Sequence, residues 1–216
     1  HDGLVAPFRG TDSRFTTNPY CAVLPGTANN PPTVLDFATS IVAGGKVRVA
    51  KNKGEQMPEG YLIDGHGKPT TDPNALFAEP KGAIQAMGGH KGYGLSVINE
   101  LFGGVLTGGG TCRPENKHED DTILNGMLSV IIDPMRLVTK AFFDSETDAT
   151  LAHVKASPPA NPAEPVLIPG DPERATKADR EANGVPVDDE TWAEMVGAAK
   201  NVGISATEIE AIAFRN

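Results

Sequence analysis

Gly88-Gly89-His90-Lys91-Gly92-Tyr93-Gly94 sets four glycines and a lysine directly ahead of an apolar-periodic segment. Glycine admits positive φ and lets a ligand approach the backbone, while a helix start leaves N–H groups unpaired and partially positive. A phosphate seated there meets donors, dipole and ammonium together. Leu95, Ile98, Leu101, Phe102 and Val105 recur with a 3.6-residue period, which predicts a helix with that face in the core, stopped by Gly108-Gly109-Gly110. The plain structural alternative is a tight connection before a helix. Neither standard nucleotide motif fits: Ala83–Met87 is too short and small to read as the buried strand that precedes G-x-G-x-x-G. Lys91 is also followed by glycine rather than the hydroxyl residue of a P-loop.

Elsewhere the chain alternates short apolar runs with turn residues. Pro7, Gly10, Pro19, Pro25, Gly26 and Asn29-Asn30-Pro31-Pro32 punctuate strands and loops, and Thr33–Phe37 reads as a strand. Residues 41–52 fit either a helix broken at Gly44-Gly45 or a strand through Val47 and Val49. Residues 58–67 read as a strand and turn, and Thr70-Thr71-Asp72-Pro73 as a cap for a helical turn. The run Met127–Asp133 is the most β-like in the chain and predicts a strand buried on both faces. Arg113–Thr122 reads as a surface loop, Lys140–Asp148 as a helix, Ser157–Pro165 as extended linker and Val166–Ile168 as a short strand closed by a turn. Three further helices are expected over about 176–183, 188–203 and 206–214. The second carries Trp192, Met195, Val196 and Ala199 on one face, with Thr191 or Asp189 as its cap.

A net charge of -9 without clustered Lys or Arg argues against a nucleic-acid partner, so an anionic small ligand has to be met by local positive groups. Cys21 and Cys112 form no C-x-x-C pattern, which points away from zinc and a disulfide framework and toward a reducing, cytoplasmic setting. No apolar run approaches the roughly 20 residues of a membrane span, and no secretory pattern opens the chain. His1 and the following Leu4-Val5-Ala6-Pro7-Phe8 read as the middle of something longer.

Thr17-Asn18-Pro19, Leu35–Ser40, Pro69–Pro73, Gly89–Leu95 and Pro169-Gly170-Asp171 occur in an order and spacing that resembles the malate/L-lactate dehydrogenase family. That family includes ureidoglycolate and L-sulfolactate dehydrogenases, Δ1-piperideine-2-carboxylate reductase and diketogulonate reductase. The resemblance runs from Val5 to the helix around Trp192. It implies an α/β (α+β) fold with a non-Rossmann, mostly antiparallel or mixed sheet and flanking helices. Residues 1–150 would be the NAD(P)-binding sheet domain, and 151–216 a linker, closing strand and C-terminal helices. The implied cofactor is NAD or NADP, the implied substrate a 2-hydroxy or 2-oxo acid, and the implied assembly a homodimer.

By matching position, Asp36, Phe37, Ala38, Thr39 and Ser40 would line the nicotinamide end. His90, Lys91 and Gly92 would meet phosphates or ribose, Gly170, Asp171 and Pro172 would close over the dinucleotide, and Thr17 and Asn18 would touch substrate. Each has a structural alternative: Asp36 as a strand-end acceptor, Thr39 and Ser40 as helix caps, Asp171 as a turn residue. The family's acid/base histidine lies in a Ser-x-His-x-Gly-like motif, and an arginine further upstream helps hold the substrate; neither position occurs in these 216 residues. His1, His66, His118 and His153 read as solvated side chains and His90 as a cofactor contact. The expectation is therefore the C-terminal part of a longer dehydrogenase, unable to turn over alone. The competing classes are a non-catalytic dinucleotide- or phosphate-binding remnant and a structural protein without ligand.

Overall fold

A computed structural model describes residues 3–117 and 125–214. Its elements are β1 (Tyr20–Leu24), β2 (Thr33–Phe37), α1 (Gly44–Lys53), β3 (Leu62–Ile63), β4 (Pro69–Thr70), β5 (Ala83–Ile84), α2 (His90–Glu100), α3 (Lys140–Lys155), α4 (Asp171–Asn183), α5 (Asp189–Asn201) and α6 (Ala206–Ala213). The class is a mixture of helices and small antiparallel sheets.

Two sheets form. β1 and β2 make an antiparallel hairpin with Tyr20 opposite Phe37 and Leu24 opposite Thr33. The second has the order β4-β3-β5, antiparallel throughout. The segment around Val5 extends it, bridging Phe15 in antiparallel and Ile84 in parallel fashion. The Ala6 amide donates to the Ile84 carbonyl (3.0 Å) and the Ile84 amide to the Leu4 carbonyl (2.8 Å). β5 is thus a buried strand although its sequence is short and small; neighbours on both sides supply the pairing that length alone does not.

The core gathers on this second sheet. Val5, Val47, Ala50, Met57, Leu62, Leu76 and Ile84 are buried together, with Leu4, Phe15, Ile41, Val42 and Tyr61 packed around them. α1 presents Val47 and Ala50, three apart and so on one face, and ends at Gly54 in the left-handed region (φ 68°). The helical alternative for residues 41–52 is the correct one, but Gly44-Gly45 begins the helix instead of breaking it. Asp72 accepts from the Asn74 amide (2.9 Å) and caps the 3₁₀ turn Pro73–Phe77, as its place before proline predicts.

Several expectations are corrected. Residues 125–133 carry no regular structure, and Met127, Val130 and Ile131 are exposed, Ile131 at 95%. An apolar run makes a buried strand only where a ladder receives its N–H and C=O groups, and among the described residues none does. Val166–Ile168 is likewise irregular, although Ile168 is buried. The apolar face expected of α2 is half exposed at Ile98, Leu101, Phe102 and Val105, whereas Gly92 and Ser96 are buried. α2 runs on into one π-helical stretch, Leu101–Leu106. Pro114–Asn116 forms a 3₁₀ turn within the expected loop; the rest of that loop, with His118, lies outside the described residues.

α3 extends seven residues past Asp148, capped by Thr139, because nothing breaks it before Ser157-Pro158-Pro159. α4 starts at Asp171, earlier than expected. The cap of α5 is Asp188, which accepts from the Thr191 amide (2.9 Å) and hydroxyl (2.8 Å), instead of Thr191 or Asp189. Trp192 of α5 stacks against Phe214 at 5.7 Å. No helix among the described residues is long and apolar enough to cross a membrane.

The two apolar classes separate energetically. Leu62, 1% exposed, and Ile131, 95% exposed, are both large aliphatic residues in runs that read as strand. Leu62→Ala is expected to cost about 2–5 kcal/mol of unfolding free energy, and Ile131→Ala to stay within about 0.5 kcal/mol. Denaturant titrations of the two variants check this, and equal losses would return Met127–Asp133 to the core.

Candidate functional site

β2 leads directly into the residues expected at the nicotinamide end. Asp36 is exposed, Phe37 and Ala38 are half-buried, and Thr39 and Ser40 are buried. Thr39 is fixed three ways. Its amide and hydroxyl both donate to the Thr17 carbonyl (2.9 and 3.0 Å), and its own carbonyl accepts from the Met87 amide (3.0 Å). Ser40 bridges Ala86 in antiparallel fashion and donates its hydroxyl to the Val42 carbonyl (2.8 Å). The Ile41 amide then donates to the Gln85 carbonyl (2.9 Å). Residues 39–41 and 85–87 are therefore laced together, which places the end of β2 beside the glycine turn.

That turn is built by two positive-φ glycines, Gly88 (57°) and Gly89 (62°), after which α2 starts at His90. Local bonds occupy some of its donors. The Gly92 amide donates to the Met87 carbonyl (3.0 Å) and the Lys91 amide more weakly to the Gly88 carbonyl (3.4 Å). The Gly88 and His90 amides take no part in these bonds, so the anion seat is narrower than four free helix-start donors would make it. His90 and Lys91 are exposed, and the His90 ring meets Phe8 edge-on at 5.9 Å. Gly92 is buried, and a Cβ there would overlap the Met87 carbonyl oxygen, so its role is to let the turn close on itself.

Thr17 and Asn18 join this arrangement from the other side. Asn18 is buried with φ 37°, a conformation asparagine tolerates better than most residues. Its Nδ2 donates to the Ser96 carbonyl (3.1 Å) and to Glu100 Oε2 (2.6 Å), and Asn99 Nδ2 donates back to the Asn18 carbonyl (2.9 Å). The second Glu100 oxygen accepts from the Cys112 amide. Sequence reasoning misses this network because Asn18 and Glu100 lie 82 positions apart. Neither Asn99 nor Glu100 stands out among its neighbours in the chain.

Gly170, Asp171 and Pro172 lie at the opposite end of the β1–β2 hairpin. Asp171 pairs with Lys155 (2.9 Å) and Arg174 (2.6 Å) and accepts from the Ile168 amide (3.2 Å). Arg174 also donates to the Pro32 carbonyl (3.3 Å). A Cβ on Gly170 (φ 96°) would fall 2.6 Å from the Arg174 guanidinium. On the same hairpin loop, Thr27, Asn29 and Asn30 all donate to Asp148 of α3 (2.6–2.7 Å). These donors hold the Asp148 carboxyl below its ordinary range, the Thr27 hydroxyl most strongly. Gly170–Pro172 and Lys91 are thus not brought into contact; they flank β2 at its two ends.

Comparison with known proteins bears on this arrangement. Residues 1–196 match the family model for malate/L-lactate dehydrogenase. This chain belongs to the malate/L-lactate dehydrogenase family. It is 41% identical over 209 residues to hydroxycarboxylate dehydrogenase B of Escherichia coli strain K12, covering 96% of this chain and 57% of that protein. It is 37% identical over 202 residues to L-lactate dehydrogenase of Cupriavidus necator, covering 94% and 57%. The sulfolactate dehydrogenase structure from Methanocaldococcus jannaschii superposes with a TM-score of 0.72 at 32% identity, over 94% of this chain and 58% of that one. The chain spans just over half the length of the curated relatives it matches.

Two expectations follow from the geometry of this family member. Gly94 lies in α2 with open space where a Cβ would go, whereas Gly92 has none. Gly94→Ala should therefore raise stability by up to about 1 kcal/mol and Gly92→Ala lower it by about 1–3 kcal/mol, opposite signs that thermal unfolding resolves. Lys155 first, then Arg174 and the Ile168 amide, hold the Asp171 carboxyl down to about 2. With an unfolded value near 3.9, roughly, ionised Asp171 stabilises the fold at higher pH, and that contribution is lost as pH falls from about 4 through about 2. Asp171→Asn should lose part of the stability seen at neutral pH and show a shallower acid limb; a limb identical to that of the parent chain would contradict the assignment.

Proposed function

We propose that this chain carries the coenzyme-binding part of an NAD- or NADP-dependent oxidoreductase that interconverts a 2-hydroxy acid and its 2-oxo acid. One observation carries the reading: Thr39 and Ser40, which the family resemblance assigns with Asp36–Ala38 to the nicotinamide end, pair together with the adjoining Ile41 against residues 85–87, and the next residues form a glycine turn bearing the exposed Lys91. An open turn with two positive-φ glycines, the Gly88 and His90 amides and an exposed ammonium fits a pyrophosphate. The names of the relatives, which include lactate, sulfolactate and hydroxycarboxylate dehydrogenases, support the substrate class.

When bound, the coenzyme would supply or accept hydride. The chain's own residues would do the holding: Lys91 and the turn amides at the phosphates, the β2 end at the nicotinamide. Gly170–Pro172, at the far end of the hairpin, would close over the remainder. A sheet that carries the ligand without either standard phosphate motif is the non-Rossmann arrangement that the resemblance implies.

Reduction of a 2-oxo acid also needs a proton donor at the carbonyl oxygen, for which histidine is suited near neutral pH. His66 sits in the turn after β3 and His153 near the end of α3, while His90 is exposed at the glycine turn beside Phe8. His90 is assigned to coenzyme contact. The 216-residue chain is accordingly expected to bind coenzyme and not to turn over by itself.

NADH titration followed by ligand fluorescence tests both halves. Saturable binding is expected, weakened on the order of tenfold by Lys91→Ala, as for a lost charge-assisted contact. Pyruvate or oxaloacetate added to the complex should leave the NADH absorbance unchanged. Absence of binding would remove the coenzyme reading, and steady oxidation of NADH would place an acid/base group within these residues.

A further inference from the structure

The chain just before β1 is fastened to the far end of α2 by side-chain amides. Asn18 Nδ2 donates to the Ser96 carbonyl (3.1 Å) and to Glu100 Oε2 (2.6 Å), and Asn99 Nδ2 donates to the carbonyls of Asn18 (2.9 Å) and Pro19 (3.1 Å). The Asn18 side-chain carbonyl accepts from the Thr16 hydroxyl. A primary amide has two N–H donors, and both of those on Asn18 have protein partners. Asn18 thus joins chain segments and keeps no side-chain donor for a ligand. Its charged partner Glu100 also accepts from the Cys112 amide, and bonds to a carboxylate are roughly twice as strong as neutral ones.

These bonds close a circuit. One residue back from Asn18, the Thr17 carbonyl accepts from both the amide and the hydroxyl of Thr39 (2.9 and 3.0 Å). The Thr39 carbonyl accepts from the Met87 amide (3.0 Å), and the Met87 carbonyl from the amide of Gly92 in the first turn of α2 (3.0 Å). α2 itself spans the rest, about 12 Å from Gly92 to Glu100 at 1.5 Å per residue. A second tie runs from Phe15, two residues before Thr17, which meets Tyr93 of α2 edge-on at 6.0 Å.

The circuit passes through both parts of the coenzyme seat. Thr39 ends the segment read as the nicotinamide end, and the turn bearing Lys91 lies between Met87 and Gly92. A rod bonded at one end can pivot there, and attachment of its other end removes that freedom. A ligand that touches both places then binds to a pair already set at the right separation. It pays less for ordering, and its second contact is made at high effective concentration.

We propose that Glu100, acting through Asn18 and supported by Asn99, is the positioning residue that fixes the glycine turn relative to the nicotinamide end, so that one dinucleotide engages both. The proposal rests on the coenzyme reading above. Its signature is selective: only ligands long enough to reach both places feel the loss of the circuit.

NADH and ADP-ribose, which keeps the pyrophosphate and lacks the nicotinamide, are titrated calorimetrically against the 216-residue chain and its variants. Glu100→Ala is expected to weaken NADH on the order of tenfold and to leave ADP-ribose unchanged. Glu100→Gln, which retains one of the two acceptor oxygens, should fall between, and Asn99→Ala should reproduce the pattern. Lys91→Ala, by contrast, should weaken both ligands alike. In the ligand-free chain, Glu100→Ala should speed hydrogen exchange at the Met87 amide on the opposite side of the circuit. Thermal unfolding verifies that each variant is folded, and Asn99→Ala carries the test should Glu100→Ala not fold. Equal loss of both ligands, or unchanged NADH affinity in the folded variants, would overturn the positioning role while parent-chain NADH binding kept the coenzyme reading alive. A parent chain that binds neither ligand would remove that reading and the positioning role with it.

Discussion

The carbonyl of Thr39 accepting from the Met87 amide, with Ile41 and Gln85 paired beside it, is the contact on which the rest of the site depends. It joins the end of a hairpin to a glycine turn some fifty residues further along the chain. Without it, β2 would deliver Asp36–Ser40 nowhere in particular, and the turn would be only a helix start. Backbone bonds suit the task because Thr39 and Ser40 are buried, so an unpaired amide or carbonyl there would be costly. The buried core on the neighbouring sheet holds β5 in place, and β5 runs directly into that turn.

The other end of the hairpin is held differently. Asp148 and Asp171 draw in neutral and cationic side chains at the loop and thereby fasten β1 and β2 to α3 and α4. One end is pinned by main chain and the other by carboxylates, so the two respond to different conditions. Acid weakens the second and leaves the first. Asp171, expected to close over a dinucleotide, is already engaged by Lys155, Arg174 and the Ile168 amide, and Arg174 reaches on to the Pro32 carbonyl.

Much of the local structure was legible. Glycines 88, 89 and 92 announced a turn and helix start, Thr33–Phe37 a strand, Asp72-Pro73 a capped turn, and Gly184 the end of α4. These features are decided by φ preferences and side-chain caps that act within four residues. What failed were inferences from apolarity. Met127–Asp133 and the α2 face read as core, yet the first stands largely in solvent and the second is half exposed. Periodicity tells which residues can be buried together; it does not say that another element arrives to cover them. Conversely β5, dismissed for its length, is buried because Leu4–Ala6 and β3 flank it.

For the site, the residue types and their order in the chain were enough to place the protein in a dehydrogenase family, and the matching family model agrees. Sequence alone also determined the glycine conformations and the lysine at the turn, since these are properties of single residues and their immediate neighbours. Only the tertiary structure decided that Asn18 reaches Ser96 and Glu100 and that Asp171 belongs with Lys155. Hydrogen bonds and fields act through space over a few ångströms, whatever the separation along the chain, so no local pattern could have announced them.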